Sequence, residues 1–305
     1  MKTSPRQPAH FAQIAQRLFN VPLALEPSKA EIICAALHQR LGILKVERLD
    51  STVMGVVDMK SMVDDAYRQG RSDKVFHIDS GVAVIPITGT LLHRYGALDP
   101  WSGCTGYDGI ARKLRAALSD NDVRAIWLDI DSPGGEVSGL FALVREIAMS
   151  TQSETGGKPI WAYANEMACS AAYAIASVCD RVYAPKEAIV GSIGSIIMHT
   201  DFSEMLDENG IKVTMIRGGE RKARGGPYEA LDETTLNKLL NAVEKTRVEF
   251  AGYVAMGRNL DVDAILATEA DWFDGEEADD LGLIDGVGDE LEIWDRLMRT
   301  LNRSI

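Results

Sequence analysis

Three stretches of the chain bring together residue types that could do chemistry. In "ANEMACSAAYAIAS", Ala164 to Ser177, one hydroxyl, Ser170, stands between Cys169 and a run of small residues, where a strand-like pattern gives way to a helix-like one. A serine so placed is either an N-cap or a nucleophile presented at a helix start, with the N–H of Ala171 beside it to hold an oxyanion. The small neighbours would leave room for a substrate backbone. In "DIDSPGGEVSG", Asp129 to Gly139, Pro133 fixes the backbone, and Gly134 and Gly135 offer φ freedom and bare N–H groups directly before an expected helix. Such a turn can aim amides at a developing negative charge, or it is simply a tight connection. In "MIRGGERKARGGPYEALD", Met215 to Asp232, four glycines are interleaved with Arg217, Arg221, Lys222 and Arg224, making a basic loop or an anion site.

A serine nucleophile needs a base. The five histidines are His10, His38, His77, His93 and His199, and only His199, closing "SIGSIIMHTD", falls in the right part of the chain. The other route is a lysine, which works as a base only when burial or a neighbouring cation keeps it neutral. Lys222, flanked by Arg221 and close to Arg224, fits that description. Residue types alone leave Ser-His and Ser-Lys both open.

The elements that must position these groups alternate regularly from Gly81 onward. "VAVIPITGTL" reads as a strand that Pro86 pushes toward an edge or an irregular stretch. Next come a helix in "YDGIARKLRAALSD", a strand in "VRAIWLDID" and a helix in "GEVSGLFALVREIAMS". "PIWAYA" reads as a strand, "SAAYAIASV" as a helix and "KVTMIR" as a further strand. Strand and helix in alternation imply parallel pairing and an α/β architecture. All three chemical stretches fall at strand ends, where ligands gather in open α/β sheets. A long helix follows in "DETTLNKLLNAVEKTRVEFAGYVAMGR", with Leu236, Leu239, Leu240, Val243, Phe250 and Val254 at helical spacing. Before the alternation begins, "SKAEIICAALHQRLG" reads as a short amphipathic helix and "SMVDDAYRQGRSDK" as a helix end and linker.

The totals narrow the function classes. At 305 residues the chain fits one large domain with an extension, and a formal net charge of -13 argues against a general nucleic-acid binder. Cys34, Cys104, Cys169 and Cys179 form no C-x-x-C pair, so free thiols in a reducing compartment are expected and zinc or dithiol chemistry is not. The N-terminus lacks a secretory pattern. The apolar run "AIVGSIGSIIM" is shorter than the roughly 18 residues of a membrane span. A cytoplasmic location without a membrane span is expected.

Taken together, the stretches resemble the signal peptide peptidase A family of Ser-Lys serine peptidases over about residues 78 to 290. "DSPGG" is similar to the family's oxyanion-hole turn, which implies the N–H of Gly135 acting with that of Ala171. "NEMACSAAYAIAS" resembles the nucleophile segment and implies Ser170 as nucleophile. "VGSIGSI" resembles the strand after it, where Ser192 would hydrogen-bond the catalytic lysine. "MIRGGERKARGGPY" resembles the lysine segment, with Lys222 on the base. "DWFDGEEADDLGLIDGVGDE" looks like the closing turn and helix that pack back on the core. Any one motif is weak; five in order favour Ser-Lys over Ser-His. Gly134 and Gly191, beside the oxyanion turn and Ser192, are the candidate substrate-binding positions.

"RLFNVPLALEPSKAEIICAALHQRLG" and "WSGCTGYDGIARKL" further resemble procapsid proteases of the phage lambda type, the minor capsid protein C group. The resemblance implies a Clp protease/crotonase-like α/β fold of repeated β-β-α units. It divides the chain into an N-terminal helical extension over 1–77, a peptidase core over 78–290 and a C-terminal helix over 291–305. It implies no cofactor or metal, a homo-oligomer, and protein substrates among scaffold, capsid or portal components inside an assembling procapsid. A substrate would bind extended beside a strand edge. Relatives of this kind often continue into a scaffolding region, whereas the sequence stops at Ile305, so a cleaved or truncated form, or a separate scaffold chain, is expected. The alternatives are a bacterial housekeeping peptidase of the same family, and a non-catalytic structural or portal-associated protein or a crotonase-like acyl-CoA enzyme using this fold without proteolysis.

Overall fold

The computed structural model describes residues 23–25, 75–95 and 103–303. The expected helix at Ser28 to Gly42 and the linker after it lie outside the described residues. The central sheet runs in the order β11 (Trp272–Phe273), β10 (Ile189–Gly191), β8 (Ile160–Cys169), β6 (Ala125–Ser132), β3 (Val82–Thr88) and β2 (His77–Asp79). A further strand, β9 (Arg181–Tyr183), pairs with the first half of β8, and β10 takes the second half. Pairing is parallel from β3 through β6 and β8 to β9 and β10; only the ends, β2 and β11, are antiparallel. The protein is therefore a mixed α/β fold built on a parallel-rich sheet.

Alternation along β6 shows why the sheet is buried on both faces. Ile126, Leu128 and Ile130 join the large core beneath α1 (Tyr107–Ser119) and α2 (Leu140–Ala148), while Ala125 and Trp127 belong to a second cluster. That second cluster is closed by the C-terminal helix α9 (Glu290–Arg303), whose Ile293, Leu297 and Leu301 meet Val82, Trp161, Tyr163 and Tyr183. Trp127 stacks on Tyr163 at 5.4 Å and meets Trp294 edge-on at 5.3 Å. A sheet covered on both sides by apolar layers explains the near-continuous apolar run "AIWL" at the start of β6.

A second sheet has the order β1 (Leu23–Leu25), β7 (Gly134–Glu136), β4 (Thr90–Leu92) and β5 (Cys104–Gly106). Several sequence expectations change here. The segment after Pro133 was expected to enter a helix at once, but Gly134–Glu136 forms β7 and the helix α2 begins only at Leu140. Gly139, in the left-handed region at φ 85, makes the break between them. The strand expected in "KVTMIR" is absent: Lys212–Arg217 carries no strand pairing, and Ile216 is 96% exposed. Its apolar residues have no sheet neighbour to pack on, so pattern alone does not make a strand. The long helix is α6 (Glu233–Arg258), and Phe250 and Val254 are buried as expected. Leu236 and Leu240, in its first half, are instead exposed. Pro86 fits its place: β2 pairs only with Val82–Val84, so Pro86 lies past that ladder and needs no N–H toward it.

Candidate active site

Ser170 sits where β8 ends and α4 (Ala171–Ser177) begins. Every residue of α4 is buried, and the helix packs against α2, α6 and β7; its alanines allow those close approaches. Ser170 holds the N-cap position, yet its side chain makes no capping hydrogen bond. Its backbone is at φ 54, ψ -122, a region L-residues rarely enter and which costs about 1–3 kcal/mol. Two hydrogen bonds hold it there. The Ser170 N–H donates to Gly191 O at 2.8 Å, and its carbonyl accepts from Ala174 N at 2.9 Å. The residue is 1% exposed. A strained, buried serine whose hydroxyl does not serve the helix is not a structural cap.

Ser192 follows directly from that contact, because Gly191 registers with Cys169 across the β10–β8 pair. It too lies in the left-handed region, at φ 52, with its N–H donating to Asp271 O at 2.8 Å and its carbonyl accepting from Gly194 N at 2.9 Å. Gly191, at φ 116, is where only glycine is comfortable, and a Cβ there would come within 3.0 Å of Asp271 O. Two adjacent strand ends thus carry serines on strained backbone.

The Gly134–Gly135 turn stands alongside. Ser132 registers with Ala168 of β8, two residues before Ser170. The Ser132 hydroxyl clamps the turn: it donates to Gly89 O at 2.6 Å and accepts from Gly134 N at 3.1 Å. Gly135 has no room for a side chain, since a Cβ would lie 1.9 Å from Leu91 O on β4. Beyond it, Glu136 accepts from His93 N at 2.6 Å through its carboxylate and from the Tyr107 hydroxyl at 2.6 Å through its carbonyl. Burial, then the nearby Glu136 carboxylate, push the Tyr107 hydroxyl well above its ordinary range, so it stays a donor. Ser132 and Glu136 are the residues that sequence reasoning passed over. Ser132 was visible inside the quoted "DSPGG"; the partners of Glu136 are far away in the chain, and no local signal marks them.

Lys222 occupies a turn of the excursion between β10 and α6, exposed, with its N–H donating to Gly219 O at 3.0 Å and its carbonyl accepting from Arg217 Nε at 2.7 Å. Arg217 pairs with Glu229, and Arg224 with Glu220 and with Asp232. Two of the four basic residues of this loop, Arg217 and Arg224, are thus matched by its own acids. No hydrogen bond joins Lys222 to Ser170 or to Ser192 among the described residues. Nor does one join His199 to Ser170: the Nε2 of His199 is buried without a partner. No disulfide joins Cys104, Cys169 and Cys179 among the described residues, and burial pushes the Cys179 thiol well above its ordinary range. Among the described residues no cluster of three or more His, Cys, Asp or Glu could hold a metal ion, and no helix is long and apolar enough to cross a membrane.

Ser170 thus stands on a sharp strand-to-helix junction with the glycine turn of β7 beside it. The chain belongs to peptidase family S49, whose family model matches residues 152–303. It is similar to the head-tail preconnector protein GP5 of Enterobacteria phage P21, 35% identical over 298 residues, covering 97% of this chain and 59% of that protein. It is also similar to the capsid assembly protease C of Escherichia phage lambda, 38% identical over 282 residues, covering 90% of this chain and 63% of that one. Protease 4 of Haemophilus influenzae is 29% identical over 245 residues, 78% of this chain and 38% of that protein. The chain thus spans about three-fifths of the length of the two phage relatives.

Proposed function

We propose that this chain is a serine endopeptidase of the Ser-Lys type that acts in phage head maturation, cutting scaffold, capsid or portal proteins in the host cytoplasm within the assembling procapsid. The observation that carries the reading is Ser170 itself: buried, strained at φ 54, and with its side chain not used as a cap. The phage relatives, one a capsid assembly protease by name, supply the setting. A strand of the main sheet, then a strand of the small sheet, then a helix recurs in β6–β7–α2 and, with one more small-sheet strand, in β3–β4–β5–α1. That recurrence supports the finer reading of the fold as the β-β-α repeat of Clp protease and the crotonases.

In the proposed cycle, neutral Lys222 takes the proton from Ser170 Oγ, which attacks a peptide carbonyl. The N–H groups of Gly135 and Ala171 hold the oxyanion. Lys222 then protonates the leaving amine and activates the water that releases the acyl-enzyme. Ser192 orients the lysine, and the bare backbones of Gly134 and Gly191 let an extended substrate pass close. No metal or cofactor enters. Because Lys222 rides on an exposed excursion, it must be brought to Ser170 by movement of that segment or by a neighbouring copy in a homo-oligomer.

The test is labelling by a serine-directed fluorophosphonate at neutral and alkaline pH. Labelling in the wild type that is lost in both Ser170→Ala and Lys222→Ala is expected. A wild type that stays unlabelled even with capsid and scaffold proteins present would move the structural role to the front.

A further inference from the structure

The strand that carries Gly135 is not open to a peptide. β7 has β4 on one side, and on the other β1 runs antiparallel to it, with Leu23 opposite Glu136, Ala24 opposite Gly135 and Leu25 opposite Gly134. A strand edge has a single row of N–H and C=O groups to offer, so one extended segment excludes another. Without β1, β7 would be the outer strand of the small sheet among the described residues. That free edge leads straight to the proposed oxyanion donor, and it is the place where an extended substrate would add itself.

We infer that β1 is a built-in substrate mimic: the chain's own Leu-Ala-Leu segment occupies the peptide edge of β7, and a substrate binds by replacing it. The inference rests on the peptidase reading and adds to it a substrate class. What exchanges for β1 is an extended peptide carrying a small residue, flanked by apolar ones, in register with Gly135. The strength of the pairing suits exchange. The ladder is three residues long and closes a loop of about 110 residues, so its own contribution is small and the closure cost is not. It holds the edge by being tethered rather than by binding tightly.

The full-length protein carrying Ala24→Pro tests this, because proline removes an N–H and does not fit within a paired strand. The readouts are fluorophosphonate labelling of Ser170 and kinetics on a quenched fluorescent peptide of extended apolar sequence. If β1 covers the edge in roughly 70–90% of molecules, the variant should show a KM lower by about 3- to 10-fold with kcat unchanged. An unchanged KM, or a higher one, with Ser170 still labelled would overturn the substrate mimic and leave the peptidase standing. Absence of labelling in both proteins would overturn the peptidase reading, and this one with it. Should the variant lose its circular dichroism, the wild type is challenged with a synthetic peptide spanning Pro22 to Pro27. Competitive inhibition or cleavage of that peptide supports the inference, and indifference to it at millimolar concentration overturns it.

Discussion

Replacing Gly135 by alanine should separate the oxyanion turn from a mere connection. The added Cβ would lie 1.9 Å from Leu91 O and 2.6 Å from both Leu91 C and Leu91 N. All three are backbone atoms of β4, which cannot swing aside as a side-chain end would. The two strands must part, and overpacking of this kind costs about 1–3 kcal/mol of stability. The same displacement moves the Gly135 N–H away from where an oxyanion would form. Loss of one such donor lowers kcat by about 10²- to 10³-fold. Gly252→Ala in α6 is the control: a Cβ there meets nothing within 4 Å, so the change should stabilise the helix by about 0.5–1 kcal/mol and leave turnover alone. The assay is a urea unfolding curve for each variant, followed by kcat and KM on one peptide substrate. A Gly135→Ala enzyme whose kcat stays within about threefold of wild type would show that the amide is not in the reaction, since so small a change is under 1 kcal/mol of transition-state stabilisation.

Two further outcomes follow from strain and charge. Ser170→Gly and Ser170→Ala should both be inactive, but the glycine variant should be the more stable by about 1 kcal/mol. Relief of about 1–3 kcal/mol of backbone strain at φ 54, ψ -122 outweighs the entropy glycine adds to the unfolded chain. Equal urea midpoints would remove the strain argument. Asp285 titrates on the acid side. Burial pushes its carboxyl up, but hydrogen bonds from Arg258, from Val182 N and from Arg181 outweigh burial and hold it below the usual carboxylate range. With a folded-state value below the unfolded value of about 3.9, its contribution is present above that pH and is lost as pH falls through the folded value. Asp285→Asn should therefore lower stability at neutral pH, by about 3 kcal/mol since Arg258 is left buried and unmatched, and flatten the acid limb of the stability profile. An acid limb identical to that of the wild type would show that other carboxylates govern it.

How far these features were legible in the chain depends on whether the controlling contact is local. Ser170 and Gly135 drew attention because each sits on a short motif with a backbone reason, a small run entering a helix and a glycine pair in a turn, whereas Ser192 came only with the family resemblance. The parallel sheet was legible because strands and helices alternate along the chain, and each such crossover returns a strand in the same direction. Reading failed where a distant partner decides. Gly134–Glu136 looked like a helix entrance because helix residues follow soon after, but Leu91 on β4 draws it into a strand. "KVTMIR" has a strand's residue types and no neighbour to pair with among the described residues.

The same distinction explains why the serine and the lysine stand so differently. Ser170 is held by contacts within reach of its own elements: a strand end, a helix start and the Gly191 carbonyl. Its geometry is complete as soon as the sheet forms. Lys222 lies on an excursion whose ion pairs, Arg217 with Glu229 and Arg224 with Asp232, are internal to it. Those pairs shape the loop without docking it on α4. On the proposed reading, with β1 on the peptide edge and no hydrogen bond between Lys222 and Ser170 among the described residues, the nucleophile is in place and two parts have still to move. Catalysis then requires β1 to leave and Lys222 to arrive. An extended substrate that takes the place of β1 on β7 would accomplish the first, and by covering the cleft it would supply the desolvated surroundings in which a lysine can serve as a neutral base.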